Sequence, residues 1–361
     1  MRVTIVLPGL SNSGGIERVA TRHANYLAAG GHEVDLVIFD DPQPPFFPLD
    51  DAVAVTNLRS GPWAGPMRRG SQVIRLRAHI RRVRPDVVIS IFRNSLVLLA
   101  TRGLSIPVII TEHMDPGKAW MAPGRRQLQR LLYRHAARLV SVSRGVDRQF
   151  HWLDERKRTV IHNAIDTPAG ATWAPVLDPR RRHLLAVGRF VEQKGFDLLL
   201  EAFGEIAGAH PGWDLCIVGG SPPPDYLRRV RDRGLEGRVT FPGVVRDVSP
   251  YYREAELYVL SSRHEAFPMV LIEAMAHGLP AVAFACPSGP DEIIDDGVDG
   301  LLVPPEDVRS LAQAMARAME DDAWRASAGD RALFASRRFS LESVMPEWDA
   351  LLSEVTSLGR A

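Results

Sequence analysis

Short apolar runs alternate with amphipathic stretches along nearly the whole chain. In the first half, Val3–Leu7, Val34–Phe39, Val53–Leu58, Val87–Phe92, Val108–Thr111, Leu139–Val142 and Val160–His162 read as strands. Apolar positions recur three and four residues apart between them, near Ile16–Gly30, Ser71–Val83, Asn94–Arg102, Arg125–Ala137 and Arg144–Trp152, which predicts helices. Strand and helix in alternation predict parallel sheets covered by helices. A low-regularity stretch, Asn163–Arg182, carries Pro168, Pro175 and Pro179 and reads as a linker. The pattern then starts afresh with Leu184–Val187, Leu215–Val218, Val239–Phe241, Leu257–Leu260, Ala281–Phe284 and Leu301–Val303. The predicted fold class is α/β, with two Rossmann-like domains at 1–165 and 166–340 and a helix at the end of the chain, within 341–361. Ligands of such sheets bind outside the carboxyl ends of the strands, and two units facing each other would place those ends around one cleft.

One stretch combines this pattern with chemistry. Ser261–Pro280 reads SSRHEAFPMVLIEAMAHGLP, a polar, turn-prone segment ending at Pro268 and an apolar-periodic run ending at Gly278. Proline at a helix start and glycine past its end suit such a segment. Free N–H groups near Met269 and Val270 would favour a phosphate. Glu265 before the helix and Glu273 inside it would repel phosphate and therefore suit hydroxyls of a sugar and a ribose.

Composition narrows the class. Hydrophobic residues make up 45% and charged residues 24% of 361, as in a soluble globular protein, and no apolar run approaches the roughly 20 residues of a membrane span. The first apolar run is broken at once by Pro8 and Gly9, so it reads as a strand rather than a signal peptide, and a cytoplasmic protein is expected. The two cysteines, Cys216 and Cys286, offer neither a disulfide framework nor zinc spacing. A net charge of +1 conceals an asymmetry: residues 1–166 hold 24 Lys or Arg against 14 Asp or Glu, and the remainder 20 against 29. The basic half suits an anionic surface or ligand. Two of its predicted helices, within Met67–Arg84 and Gly124–Leu139, are arginine-rich and amphipathic, as helices lying on anionic membranes are.

The Glu-x7-Glu segment closely resembles the donor-binding motif of retaining glycosyltransferases of the GT-B fold, glycosyltransferase family 4. The resemblance extends over nearly the whole chain and is strongest from His183 to Pro304. It implies that Glu265 binds hydroxyls of the transferred sugar, Glu273 the ribose, and that Phe267, Pro268, Met269 and Val270 form the helix start at the donor. In VGRFVEQKG, Gly188, Arg189 and Lys194 follow a strand, and two cations in one turn suit a diphosphate; the resemblance assigns Arg189 and Lys194 that duty. Gly219 ends another strand, and FPGVVRDV resembles the loop whose backbone, at Val245 or Arg246, reads the nucleobase. Gly14 and Gly15 open a helix directly after the first strand and correspond to glycines beside the donor diphosphate or acceptor. Val87–Pro116 resembles the acceptor-domain core of enzymes building polysaccharides or lipid-linked glycans from UDP-hexoses and UDP-N-acetylhexosamines, with His113 near the reacting centre. VIHNAID, Val160–Asp166, looks like the interdomain hinge, and the terminal helix is expected to cross back to the first domain. CPSGPDEIIDDGVDGLLVP forms a turn at Ser288–Pro290, with Asp291 and Glu292 as first-turn acids of structural kind.

The expected activity is transfer of a hexose or N-acetylhexosamine, with retention, from a nucleotide sugar, UDP favoured, to a glycan or lipid-linked acceptor hydroxyl. No cofactor and no metal is expected, and no nucleic-acid partner. Peripheral contact with the inner face of the cell membrane is an additional expectation. Alternatives are a GDP-mannose-dependent mannosyltransferase, a GT-B nucleotide-sugar epimerase, and a non-catalytic nucleotide-sugar-binding protein. PGLSNSGGIERVA lacks G-x-G-x-x-G, which counts against a nicotinamide oxidoreductase.

Overall fold

The structure is a computed structural model, and it describes residues 1–41, 43–61, 64–114, 123–166 and 182–358. Pro168, Pro175 and Pro179 of the expected linker, and Asp115 and Pro116 at the end of the acceptor-domain segment, lie outside the described residues. The chain divides into two compact units: residues 1–164 with 344–361, and residues 165–343. The first division falls between Ala164 and Ile165, inside VIHNAID.

In the first unit the order is β1 (Arg2–Val6), α1 (Gly15–Ala29), β2 (Glu33–Ile38), β3 (Ala54–Asn57), α2 (Gly65–Val83), β4 (Val87–Ile91), α3 (Asn94–Thr101), β5 (Val108–Glu112), α4 (Pro123–Tyr133), β6 (Arg138–Ser141), α5 (Arg144–Asp147) and β7 (Arg158–Val160). The strands form one parallel sheet in the order β3-β2-β1-β4-β5-β6-β7. Every residue of β4 is buried, which is why its sequence is a continuous apolar run rather than an alternating one. The chain leaves β1 toward β2 and β3, then returns to the other side of β1 to place β4. The carboxyl ends of β1 and β4 therefore flank a switch point, where neighbouring loops diverge and leave room for a ligand.

The second unit repeats the plan with β8 (Arg182–Val187), α6 (Phe196–Ile206), β9 (Trp213–Val218), α7 (Pro224–Asp232), β10 (Val239–Gly243), α8 (Ser249–Glu254), β11 (Leu257–Leu260), α9 (Met269–Ala276), β12 (Ala281–Phe284), α10 (Pro290–Ile293), β13 (Gly300–Val303), α11 (Val308–Glu320) and α12 (Asp322–Ser336). Its parallel sheet runs β10-β9-β8-β11-β12-β13, with the switch point between β8 and β11. The core comprises sheet residues such as Leu184, Leu215, Val259 and Phe284 under Leu199, Phe203, Leu311 and Met315 of α6 and α11.

The last helix, α13 (Leu341–Leu358), contributes residues 344–358 to the first unit. Tyr26 of α1 donates to Asp349 Oδ2 at 2.8 Å, Arg138 pairs with Glu354, and the His23 ring meets Trp348 edge-on at 4.8 Å. Among the described residues no helix is long and apolar enough to cross a membrane.

His23 is 3% exposed and its Nε2 has no hydrogen-bond partner among the described residues. Burial, and then His113 and Arg22, lower its imidazole from 6.5 to about 3. Below pH 6.5 the unfolded chain binds a proton that the folded chain refuses until about pH 3. The His23 contribution is therefore intact above pH 6.5, and stability falls by about 1.4 kcal/mol per pH unit through that window. Urea unfolding followed at about pH 7.5 and about pH 5 should show a shallower pH dependence in His23→Phe than in the wild type. Equal slopes would show that His23 is not buried neutral beside Trp348.

Candidate functional site

The site in the second unit is assembled where the chain leaves the carboxyl ends of β8, β9, β11 and β12. After β8 the loop runs through Gly188 and Arg189 to a 3-10 turn at Glu192–Lys194, and Gly195 then starts α6 in the left-handed region at φ 60°. Two contacts favour glycine in this loop. A Cβ at Gly195 would lie 2.1 Å from the carbonyl oxygen of Ser261, and one at Gly188 would press on the Lys194 stem at 3.1–3.2 Å. Gly219, after β9, sits at φ 128°, and its missing Cβ would lie 2.4 Å from Gly188 O.

The β8 and β11 loops are sewn together across the switch point. Arg263 N donates to Gln193 O at 2.8 Å, Gln193 Nε2 to His264 O at 2.9 Å, and Ser261 Oγ to Lys194 O at 2.9 Å. The Arg263 guanidinium grips Asp197 through two bonds, at 2.9 and 2.8 Å, and donates to Glu192 O at 2.8 Å. The bond from Arg263 holds the Asp197 carboxyl below its ordinary value. At the centre Lys194 Nζ donates to Glu265 Oε1 at 2.6 Å, and Ser262 Oγ to the same oxygen at 2.7 Å. Both bonds land on Oε1, leaving Oε2 of a 6%-exposed carboxylate directed to no partner among the described residues.

Helix α9 begins at Met269, with Pro268 preceding it in an extended conformation and without a side-chain cap. The first intrahelical bond is donated by Leu271 to Pro268 O at 3.0 Å, so the N–H groups of Met269 and Val270 precede the helical ladder. Glu273, eight positions after Glu265 and inside α9, is 7% exposed and lies 3.5 Å from the Tyr252 hydroxyl. The loop after β12 closes against the helix entry: a Cβ at Gly289, φ 136°, would lie 2.7 Å from Pro268 Cδ. Phe267 packs edge-on against Phe339 at 5.4 Å. Tyr258 of β11 is fully buried, and burial, then the charges of Glu265 and Glu273, push its phenol well above its ordinary value. Burial and Glu265 likewise push the Cys286 thiol up to about 12, which removes it as a nucleophile at neutral pH.

The structure thus brings together Gly188, Lys194, Gly219, Glu265, Pro268 and Met269. Arg189 stands exposed in the β8 loop, and in the loop after β10 Val245 is half-buried and Arg246 exposed. Arg263, Asp197, Ser262, Tyr258 and Gly195 belong to the same construction, although the sequence reading did not single them out. The run Ser261–Arg263 reads only as a polar turn, and Asp197, the partner that Arg263 grips, lies 66 positions back in the chain.

In the first unit, Gly14 caps α1 in an extended conformation without a side-chain bond. A Cβ there would meet only the flexible Glu17 carboxylate, at 2.4 Å, and one at Gly15 would meet nothing within 4 Å. The close approach expected of this pair is thus not imposed by the surrounding protein. His113 follows β5, half-buried, with Nε2 2.8 Å from Thr111 Oγ1. The Thr111 hydroxyl already donates to Ser90 O at 3.1 Å, so it accepts from His113. Desolvation lowers the imidazole to about 4. A neutral ring with its proton on Nε2 offers Nδ1 as an acceptor, the right polarity for a ligand hydroxyl.

Comparison with known proteins follows the same division. Residues 13–168 match the family model Glycosyltransferase Family 4, and residues 181–321 match Glycosyl transferases group 1. The chain is 31% identical over 392 residues to an exopolysaccharide phosphotransferase of Streptomyces coelicolor, covering 99% of this chain but 41% of that protein. It is 26% identical to an undecaprenol-PP-linked glycan α-1,4-N-acetyl-D-galactosaminyltransferase of Campylobacter jejuni, covering 98% of this chain and 99% of the relative. An Anabaena protein, HepE, solved in complex with UDP, superposes with a TM-score of 0.80 at 18% identity over 98% of this chain and 100% of its own. This likeness carries the fold, GT-B, and not the ligand.

Gly195→Ala should cost the second unit about 2 kcal/mol or more, through left-handed strain and the approach to Ser261 O. Urea unfolding would reveal it, and wild-type stability would mean that the β8 and β11 loops are not held this close.

Proposed function

Because the chain belongs to the glycosyltransferases of group 1 and family 4, we propose that it moves a hexose or N-acetylhexosamine from a UDP-sugar to a hydroxyl of a glycan or lipid-linked acceptor, with retention and without a metal ion. The observation that carries this reading is the Lys194–Glu265 pair at the β8/β11 switch point beside the start of α9. It joins a cation, a carboxylate with one unclaimed oxygen and a set of helix N–H donors in one place. A nucleotide diphosphate needs the first and third, and sugar hydroxyls need the second.

In this reading the bond between the anomeric carbon and the diphosphate oxygen breaks, and the acceptor oxygen bonds to the same face of that carbon. The acceptor proton passes to the departing phosphate oxygen. Negative charge grows on the diphosphate as the bond breaks, where Lys194, Arg189 and the N–H groups of Met269 and Val270 stabilise it. Glu265 orients the transferred sugar, Glu273 accepts from the ribose, and the loop at Val245 and Arg246 meets the base. His113 Nδ1 accepts from a sugar hydroxyl. UDP as the nucleotide is what the resemblance favours, and a lipid-linked acceptor is supported by the name of the Campylobacter relative.

A thermal-shift series with UDP, GDP, ADP and NAD, each with chelator, tests the donor. Stabilisation by UDP alone is expected; GDP alone would move the donor to GDP-mannose, and NAD alone would remove the reading. Lys194→Ala should lower turnover on the order of 10² to 10³-fold. Glu265→Gln should weaken titrated UDP-sugar more than UDP, and equal losses would take Glu265 off the sugar.

Peripheral contact with an anionic membrane is the second part of the proposal. Helix α2 exposes Met67 and Ile74, and α4 exposes Leu128 and Leu131, among arginines. Apolar side chains set among cations suit an anionic lipid surface. The protein should sediment with phosphatidylglycerol vesicles and not with phosphatidylcholine vesicles; equal behaviour toward both would end the membrane reading.

A further inference from the structure

Helix α8 is six residues long, too short to hold its place by its own backbone bonds. Its position must come from packing. Tyr252 is the one buried residue of this helix, 2% exposed, and its side chain reaches α9. There the hydroxyl meets two acceptors a turn apart, Val270 O at 3.2 Å and Glu273 Oε2 at 3.5 Å. One proton serves both. The His277 ring stacks on the tyrosine with centroids 4.9 Å apart and 27° between the planes, and its Nδ1 lies 2.8 Å from Glu273 O. A carbonyl oxygen only accepts, so Nδ1 carries a proton and donates it. Tyr258 of β11 tilts toward the same ring, with centroids 6.3 Å apart. Two aromatic neighbours thus fix where the Tyr252 hydroxyl points.

The other end of α8 is continuous with the loop that the donor reading sets against the base. Val248 O accepts from Tyr251 N and Tyr252 N at 3.0 and 3.2 Å, and Ser249 N donates to Asp247 Oδ1 at 2.9 Å. The bonds from Ser249 hold the Asp247 carboxyl below its ordinary value. Loop and helix therefore form one hydrogen-bonded piece. That piece ends at the Tyr252 hydroxyl, which faces the buried Glu273 carboxylate. A carboxylate taken out of water is costly unless donors meet it, and it turns toward those on offer. Phenylalanine would fill the same space as Tyr252, so what the tyrosine adds is the proton.

We infer that Tyr252 is a positioning residue for nucleoside recognition, holding the Glu273 carboxylate in a fixed place relative to the Val245–Val248 loop so that ribose and base are read together. The inference rests on the donor reading, in which Glu273 accepts from the ribose. Tyr252 acts through Glu273. With its hydroxyl in place the carboxylate is already oriented when the nucleotide arrives, and the ribose hydroxyls bind without the cost of reorienting it. The selectivity that follows is for a nucleotide with an intact ribose over one lacking those hydroxyls. His277 serves as the wall behind the tyrosine ring.

The test is isothermal titration of the full chain with UDP and with dideoxy-UDP, which lacks both ribose hydroxyls, read as the ratio of the two affinities. Wild type should favour UDP. Tyr252→Phe, which keeps the ring and its stacking, should reduce that ratio about three- to tenfold, the loss of one hydrogen bond, and leave the affinity for dideoxy-UDP unchanged. His277→Ala should reduce the ratio by a smaller factor and guards against misfolding of the first variant. In a Glu273→Gln background, Tyr252→Phe should change the ratio no further, because its effect passes through that carboxylate. Equal weakening of both nucleotides would make Tyr252 a packing residue and overturn the inference, as would a ratio unchanged in both variants. Equal binding of UDP and dideoxy-UDP by wild type would take the ribose from Glu273 and the inference with it, leaving UDP binding intact. No binding of UDP by wild type would remove the donor reading and the inference together.

Discussion

Everything in the second unit's site depends on two loops being held a few ångströms apart across the point where the strand order reverses. The Lys194–Glu265 contact is short and largely buried, and such a pair gains from attraction only if its geometry is fixed by further bonds. Those bonds are present. Gly195 allows the β8 loop to turn under Ser261 O, Arg263 ties the β11 loop back to Asp197, and Ser262 completes the hydrogen bonding of Glu265 Oε1. The charged pair is thus the product of a rigid frame more than its cause. A frame of this kind keeps donors preorganised, so that little reorganisation opposes charge development.

The two units share the strand order 3-2-1-4-5-6 up to their edges yet present opposite chemistry at their switch points. In the second unit the switch point holds a cation paired with an acid, near a second acid, which suits a ligand with both phosphates and hydroxyls. In the first, the end of β4 offers guanidinium groups and a strained aromatic, and the end of β5 offers a neutral imidazole. The same fold positions both sets because parallel strands deliver every loop to one edge of the sheet. What differs is which side chains the loops carry, and function resides there.

The fold class was legible because buried parallel strands are continuous apolar runs, and such runs alternate with helical periodicity in both halves. Boundaries were less so. Helix α2 starts at Gly65, six positions before the apolar periodicity begins at Ser71, because Pro66 suits a first turn that faces solvent and needs no apolar residues. Strand β7 lies at Arg158–Val160, earlier than the expected Val160–His162, since an edge strand that is only half-buried carries little apolar signal. The expected helix at Arg144–Trp152 is one α turn followed by a 3-10 turn. At the site, Glu265, Glu273 and Lys194 could be picked out because acids flanking a helix start and a cation after a strand have chemical meaning in sequence. Arg263 and Gly195 could not, because their roles are set by contacts with residues far along the chain.

The charge asymmetry acquires a physical meaning from these placements. A basic first half was read as suiting an anionic partner, but net charge alone acts at long range and is screened within about 8–10 Å at physiological salt. Recognition needs charge that is desolvated and fixed. Most arginines of α2 are solvated and contribute to the long-range field, whereas Arg93 is partly withdrawn from water and repelled by its neighbours.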